Sequence, residues 1–441
     1  MTKTLHLSKI ILTNDKEPII DGGLLIENSK IVSSGKKEDV GDLKNINAQI
    51  INHGEALICP GFINLHTHLL YSKLNLIDNS DGLFPWLEKL VDSISSWTEK
   101  DFVSSINNGI NQVLSTGTTF IIENTPNHLS IQELTKSQLK ALIGLEVFGS
   151  NEEKANEIFL HTLAQLNNCQ LGQDKSRHYT ASHLEFTLSP HAPYDVSKPL
   201  WEKLVHWSDE NKKLILTHLE ESPQEKLWWQ EKSGPGTNFW KKINKLESKI
   251  KYWERYKSGV DFLNKRDLLS KNIIAAHLSQ ATKEDLLILR EKDIKLVHCP
   301  RSNFYLNNGT ANLKLWNEFG LLWGVGTDSN ASNNNLDLLE ELRFMINQQK
   351  LVYDFSISAK EGFSAITSNA AKVISKDSEV GYLKPDSCAD FLVFNIKEKS
   401  GCTYNDPYHL LVWDLDSKKN LKEVWINGQK AWIAEPILNK I

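Results

Sequence analysis

The 441-residue chain carries 40% hydrophobic and 24% charged residues and a formal net charge of -5. That balance supports a large buried core and argues against the basic surface of a nucleic-acid or anionic-membrane binder; on length alone it makes about three domains, or fewer if one is a barrel. Five scattered cysteines (Cys59, Cys169, Cys299, Cys388, Cys402) with no CxxC pair indicate neither a disulfide framework nor a zinc ribbon and fit a reducing cytosol.

The first residues, "MTKTLHLSKIILTNDKE", lack a basic segment followed by a long apolar core, and no apolar run approaches the roughly 18 residues of a membrane span. A soluble cytoplasmic protein is the expectation. From Leu5 to about Leu57 the chain is rich in short β-branched runs and glycine turns, and the end ("CADFLVFNIKE", "LKEVWINGQKAWIAE") repeats that character. Both ends are therefore expected to build one small β-sandwich, residues 1–57 and 376–441, around a central domain at 58–375.

Within the central part eight short apolar runs read as strands: "GFINLH", "TTFIIEN", "ALIGLEVF", "LEFTLSPH", "KLILTH", "NIIAAH", "IKLVHCP" and "LLWGVGTD". Segments with helical spacing lie between them, among them "SIQELTKSQLK", "KPLWEKLVHWSDENK" and "TKEDLLILREKD". This alternation predicts an α/β fold, a (β/α)8 TIM barrel with crossover helices. Most of the runs end in a group able to bind metal or move protons: His66 and His68, Glu123, Glu146, His191, His218, His277, His298 and Asp328. The C-terminal strand ends of such a barrel surround the active site, so this distribution reads as catalytic.

His66 and His68 in "HTH" stand two apart, and side chains at i and i+2 of a strand share a face. His218 in "LTHLEES" and Asp328 in "GVGTDSN" complete a set of four nitrogen and oxygen ligands from three strands. Alone, His218 is a hydrogen-bonded strand-end histidine and Asp328 a helix N-cap; together with the HxH pair they read as a site for one divalent ion. The fourth strand end, "HLEFTLSPHAPY", offers no lysine to bridge a second ion. The donor set suits Zn2+, with Fe2+ the alternative. Such an ion lowers the pKa of a bound water from about 15.7 toward about 7. Glu221, three residues after His218, and His277 are the candidates for proton transfer and for orienting the water. The plainer readings are a surface glutamate, like its neighbour Glu220, and a structural histidine.

The motifs "PGFINLHTH", "THLEES", "AAHLSQ", "VHCPRSN", "GTDSNASNNNLDLLEELR" and "SNAAKVI…VGYLKPDSCADFLVF" together resemble the amidohydrolase superfamily, in its branch of nucleobase and nucleoside deaminases and triazine chlorohydrolases. The resemblance spans nearly the whole chain. It implies that His66, His68, His218 and Asp328 bind the metal, that Asp328 also takes a proton from the attacking water, that Glu221 passes a proton to a ring nitrogen, and that His277 stands beside that water. His191, Trp86, Glu146 and His298 become substrate-contact candidates, although relatives mostly read HNP where this chain has His298 in "HCP". "HLEESPQEKLWWQEKSGP" followed by "HCPRSN" looks most like the aminofutalosine deaminases of menaquinone biosynthesis. One position differs: such relatives often carry an acidic residue two after HTH, where this chain has Leu70.

The expectation is a metal-dependent deaminase of a small aminopurine nucleoside, with no nucleic-acid or membrane partner and with homo-oligomerisation left open. Deamination of S-adenosylhomocysteine, methylthioadenosine or guanine, triazine dechlorination and an inactive barrel scaffold are the alternatives. Four tryptophans, Trp228, Trp229, Trp240 and Trp253, lie around "SGPGT" and would form either a lid hinged at Gly234 and Gly236 or part of the scaffold. The lysine-rich "NFWKKINKLESKIKYWERYKSG" reads as a solvated helix face.

Overall fold

Residues 3–40, 47–171, 182–244, 254–397 and 406–434 are described by the computed structural model. Five N-terminal strands come first: β1 (Lys3–Ile11), β2 (Ile19–Glu27), β3 (Lys30–Lys36), β4 (Gln49–Asn52) and β5 (Ala56–Pro60). The eight expected central strands follow: β6 (Phe62–Thr67), β7 (Thr118–Thr125), β8 (Lys140–Val147), β9 (Leu184–Pro190), β10 (Ile215–Leu219), β11 (Ile273–His277), β12 (Lys295–His298) and β13 (Trp323–Val325). They pair in parallel and in chain order. Every residue of β6 and β7 is buried, the pattern of strands covered on both faces. The ring is drawn together where the His66 carbonyl accepts the N–H groups of Thr327 and Asp328 at 3.2 and 2.9 Å.

The two strand faces separate cleanly. Phe120 and Ile122 of β7, Leu142 of β8, Leu216 of β10, Ile274 of β11 and Val297 of β12 share one apolar cluster. Their neighbours Ile121, Ile143, Ile215, Ile273 and Leu296 belong to the cluster that contains the helix residues Trp201, Leu204, Leu286 and Trp316. By the two-residue alternation of a strand, Asn124, Glu146 and His218 continue the inward series, and Glu123 and His298 the outward one.

Crossover helices form where expected. Lys198–Asn211 starts with a proline in its first turn, and Lys283–Glu291 opens with a Thr282–Asp285 capping box. The helix expected over 130–140 is Leu129–Lys136 and stops early, because Lys140 already begins β8 and the chain turns extended at Ser137 to reach it.

Three strands from the C-terminal part, β14 (Phe391–Asn395), β15 (Leu421–Ile426) and β16 (Gln429–Ile433), join the N-terminal five in a second sheet of order β16-β15-β14-β5-β1-β2-β3, with β4 beside β1. Leu24, Ile26 and Ile31 from one end of that order share a cluster with Phe391, Val393 and Trp425 from the other, so the sheet folds over its own core. Lys140 at the start of β8 meets Asp390 at 2.6 Å, both buried, and ties the barrel to this sheet. Among the described residues no helix is long and apolar enough to cross a membrane, and Cys59, Cys169, Cys299 and Cys388 are free. Cys402 lies outside the described residues.

Candidate metal centre and active site

The three histidines converge. Ring nitrogens of His66, His68 and His218 all lie within 4.8 Å of one another, and the His68 and His218 Nε2 atoms are 3.3 Å apart. Two nitrogens bound tetrahedrally at about 2.05 Å from one zinc-sized ion stand about 3.3 Å apart. Asp328 Oδ1 comes within 3.9 Å of His66 Nε2 and 3.8 Å of His68 Nε2.

Three of the candidate ligands, His66, His218 and Asp328, are held by groups outside the cluster. His218 Nδ1–H donates to the His191 carbonyl at 2.8 Å, which leaves the Nε2 lone pair facing the cluster. His66 Nε2 is buried without a partner, while Nδ1 sits 3.1 Å from the Asn124 side-chain amide. Burial first, then the neighbouring imidazoles, hold His66 and His218 well below the ordinary histidine range, so both are neutral, as ligands must be. Asp328 behaves oppositely: burial works to raise its pKa, but His66, His68, His277 and the Ser302 hydroxyl bring it down to about 2. Its Oδ2 accepts from Ser302 and Ser332 at 2.6 and 3.0 Å, and its Oδ1 from the Ser329 N–H at 2.9 Å. An orphaned buried nitrogen, neutral imidazoles and an ionised carboxylate fit a single divalent cation.

Glu221 and His277 close the centre from the side. His277 Nδ1–H donates to Asn303 Oδ1 at 2.8 Å, and its Nε2 faces Glu221 Oε1 at 3.9 Å. Burial raises the Glu221 pKa against the opposing pull of His277. His277 and Asp328 have φ of +77° and +60°, left-handed conformations that cost a non-glycine residue on the order of 1–3 kcal/mol. At His277 this turn re-aims a ring that strand alternation would send outward. Glu220 is fully buried and caps the helix Gly259–Lys265 through the Val260 N–H at 3.2 Å and the Gly259 N–H, so it is no surface residue.

A cavity of ≈ 350 Å³ opens over these groups. His68, Glu146, His191, His218, Glu221, His277 and Asp328 belong to its polar lining, and Tyr71, Trp86, Phe148, Tyr194 and Phe239 are its aromatic residues. His191 Nδ1 lies 2.5 Å from Asp195 Oδ2; burial opposes the charged ring, but this carboxylate raises its pKa to about 9.

A sequence model of the amidohydrolase family matches residues 57–431. The chain belongs to the amidohydrolase family. It is 26% identical over 447 aligned residues to a 5-methylthioadenosine/S-adenosylhomocysteine deaminase of Bacillus cereus, covering 98% of this chain and 95% of that one. The fold matches Helicobacter pylori aminofutalosine deaminase in complex with methylthio-coformycin (TM-score 0.81, 23% identity, 97% of this chain and 99% of that one). It also matches a zinc-bound adenosine deaminase of Xanthomonas campestris (TM-score 0.80, 19% identity, 97% and 92% covered).

Within this amidohydrolase not every expected contact reaches the cavity. Trp86 and Glu146 line it, but His298 does not: it is fully buried on the outward face of β12, 6.1 Å from the Trp316 ring, and burial lowers its pKa to about 3. This corrects its expected place as a substrate contact; a strand-end histidine one residue out of phase points into the helix layer. Leu70 is likewise a core residue at 2% exposure, and its neighbour Tyr71 takes the place facing the cavity. Glu123 braces the turn after HTH and lies on the outward face. Trp228 and Trp229 are buried with Phe84, Tyr194, Phe239 and Tyr256 in one aromatic cluster, of which Tyr194 and Phe239 line the cavity. The Trp240 side chain, Trp253 and most of the lysine-rich stretch lie outside the described residues. Sequence reasoning did not single out Asn124, Asn303, Asn308, Ser302 or Asp195. Asn303 stands inside the quoted "PRSN" motif, and Asn308 had no signal at all.

Proposed function

We propose that this amidohydrolase hydrolytically removes the 6-amino group of an adenosine-like nucleoside, giving the 6-oxopurine and ammonia. The observation that carries the reading is the pairing of Glu221 with His277 at 3.9 Å beside the three-histidine cluster: a proton donor and a water-orienting base sit at one cavity floor. His66, His68, His218 and Asp328 are the residues that would hold one divalent ion, Zn2+ or alternatively Fe2+, which when bound makes water acidic enough to act as a nucleophile near neutral pH. Asp328, ionised, takes a proton as water adds at C6. Glu221, kept protonated over a wider pH range by burial, gives its proton to the adjacent ring nitrogen, so that nitrogen holds the electrons displaced from the ring. The C6–N bond then breaks as the proton held by Asp328 passes to the amino group, which leaves as ammonia, while the C6 hydroxyl proton returns to Glu221 to give the 6-oxopurine. Tyr194, Phe239 and Trp86 supply flat walls for a purine.

Two kinds of substrate are favoured by different observations. Aminodeoxyfutalosine, converted to its 6-oxo product for menaquinone synthesis, follows from the "HLEES…HCPRSN" resemblance. Methylthioadenosine or S-adenosylhomocysteine is supported by the activity of the Bacillus relatives, which align over almost the entire chain. An ammonia-release screen over these three, adenosine and guanine separates them. Release from guanine alone would overturn the 6-aminopurine reading, and purified metal-replete protein with no bound divalent ion would favour an inactive scaffold.

A further inference from the structure

Glu221 is held by a residue that reaches it from another part of the barrel. Asn308, 1% exposed, donates its Nδ2–H to Glu221 Oε1 at 3.2 Å. In this orientation the amide donates to the side-chain oxygen and so favours the carboxylate form of Glu221. Asn308 is itself fixed at the backbone. Its N–H donates to the Asn303 carbonyl at 2.9 Å, its own carbonyl accepts from the Gln280 side chain, and left-handed Asn307 (φ +56°) and Gly309 (φ +92°) bend the chain on either side.

The same short stretch carries Asn303, whose Oδ1 accepts from His277 Nδ1. Two asparagines five residues apart thus grip Glu221, assigned to proton transfer, and His277, assigned to orienting the water. From the other side Glu225 Oε2 accepts the Glu221 backbone N–H at 2.7 Å and fixes where the side chain starts.

We propose that Asn308 is a positioning residue for the deamination: it holds the Glu221 carboxyl at the distance from His277 and the cavity floor at which its proton reaches the substrate ring. The inference rests on the role given to Glu221 above. Asn308 does not line the cavity, and its side chain acts through Glu221.

The test compares Asn308→Leu and the isosteric Asn308→Asp with wild type and Glu221→Gln, using the best nucleoside of the screen, with melting temperature and bound-metal content measured alongside. With metal content at the wild-type level, kcat is expected to fall about tenfold or more in both Asn308 variants, the effect of losing one hydrogen bond to a charged group, with KM changing less than kcat. The pH limb belonging to Glu221 moves upward in both, since each loses a donor that favours the carboxylate, and further in Asn308→Asp, where a second negative charge is added. Unchanged kcat and pH profile in both variants beside an inactive Glu221→Gln would overturn the inference alone. A fall in kcat that tracks loss of metal would overturn it in favour of a scaffold role. Full activity of Glu221→Gln would overturn the inference together with the reading it rests on.

Discussion

Glu123 and Leu69 are joined through the turn that follows the HTH pair: the Glu123 carboxylate accepts the Leu69 backbone N–H at 3.2 and 3.0 Å on its two oxygens. Hydroxyls of Thr67 and Ser130 donate to the same carboxylate at 2.8 and 2.9 Å. Burial, partly offset by these donors, raises its pKa to about 8. Removing it in Glu123→Ala leaves the buried Leu69 N–H and the Ser130 hydroxyl without this acceptor, at about 1–3 kcal/mol for each group left unsatisfied, while the Thr67 hydroxyl keeps the Ile122 carbonyl at 2.9 Å. We expect a lower melting temperature together with weaker metal retention, read by thermal melts and elemental analysis. Glu123→Gln, which keeps an acceptor, should lose less of both.

Gly326 packs against His66 so closely that an added Cβ would lie 2.6 Å from the His66 Cβ and 2.8 Å from its backbone nitrogen. Both are rigid atoms, so the strand must move. Gly326→Ala should shift His66 away from His68 and His218 and lower bound metal and activity together. Full metal content in a folded Gly326→Ala protein would contradict this.

The His191–Asp195 pair makes stability depend on pH. His191, raised from an ordinary 6.5 to about 9, favours the folded state fully below the unfolded value, and that contribution is lost as pH rises through about 9. A shift of this size corresponds to roughly 3 kcal/mol at most. Asp195→Asn should therefore flatten the decline in unfolding free energy between pH 6.5 and 9, measured by denaturant titration at several pH values. A decline as steep as in wild type would place its origin elsewhere.

Lys140 and Asp390 form a buried bridge between barrel and terminal sheet, and Asp390 Oδ1 also accepts the Asn427 N–H at 2.8 Å. Breaking such a pair on one side strands a buried charge, at about 3–5 kcal/mol. Asp390→Ala should be strongly destabilising, and a paired Lys140→Met, Asp390→Leu replacement should recover much of the loss. Denaturation midpoints of the single and double variants give the comparison.

Much of the site was legible because its residues sit where strands end. His66, His68, His218 and Asp328 are recognisable by type and place, and Glu221 by its spacing from His218. His298 was misplaced by the same rule: being last in a strand does not say which face a residue takes, and β12 turns it outward. His277, in the outward phase too, reaches the cavity because its left-handed backbone re-aims it, a conformation no residue type announces. The Trp228–Trp229 pair offered a lid or a scaffold with equal composition, and its burial against Phe84 and Tyr256 is a contact that composition does not announce.

The sequence by itself determined that eight strands alternate with helices, that both chain ends build a second sheet, and which chemical groups stand at the strand ends, because hydrophobic period and residue type are local properties. Tertiary structure alone decided which strand face is the interior, that Leu70 belongs to the core while Tyr71 meets the cavity, and that Asn308 reaches Glu221 across 87 residues of chain. Those are consequences of ring closure and packing, where the partner of each group is set by distance in space and leaves no periodic trace along the chain.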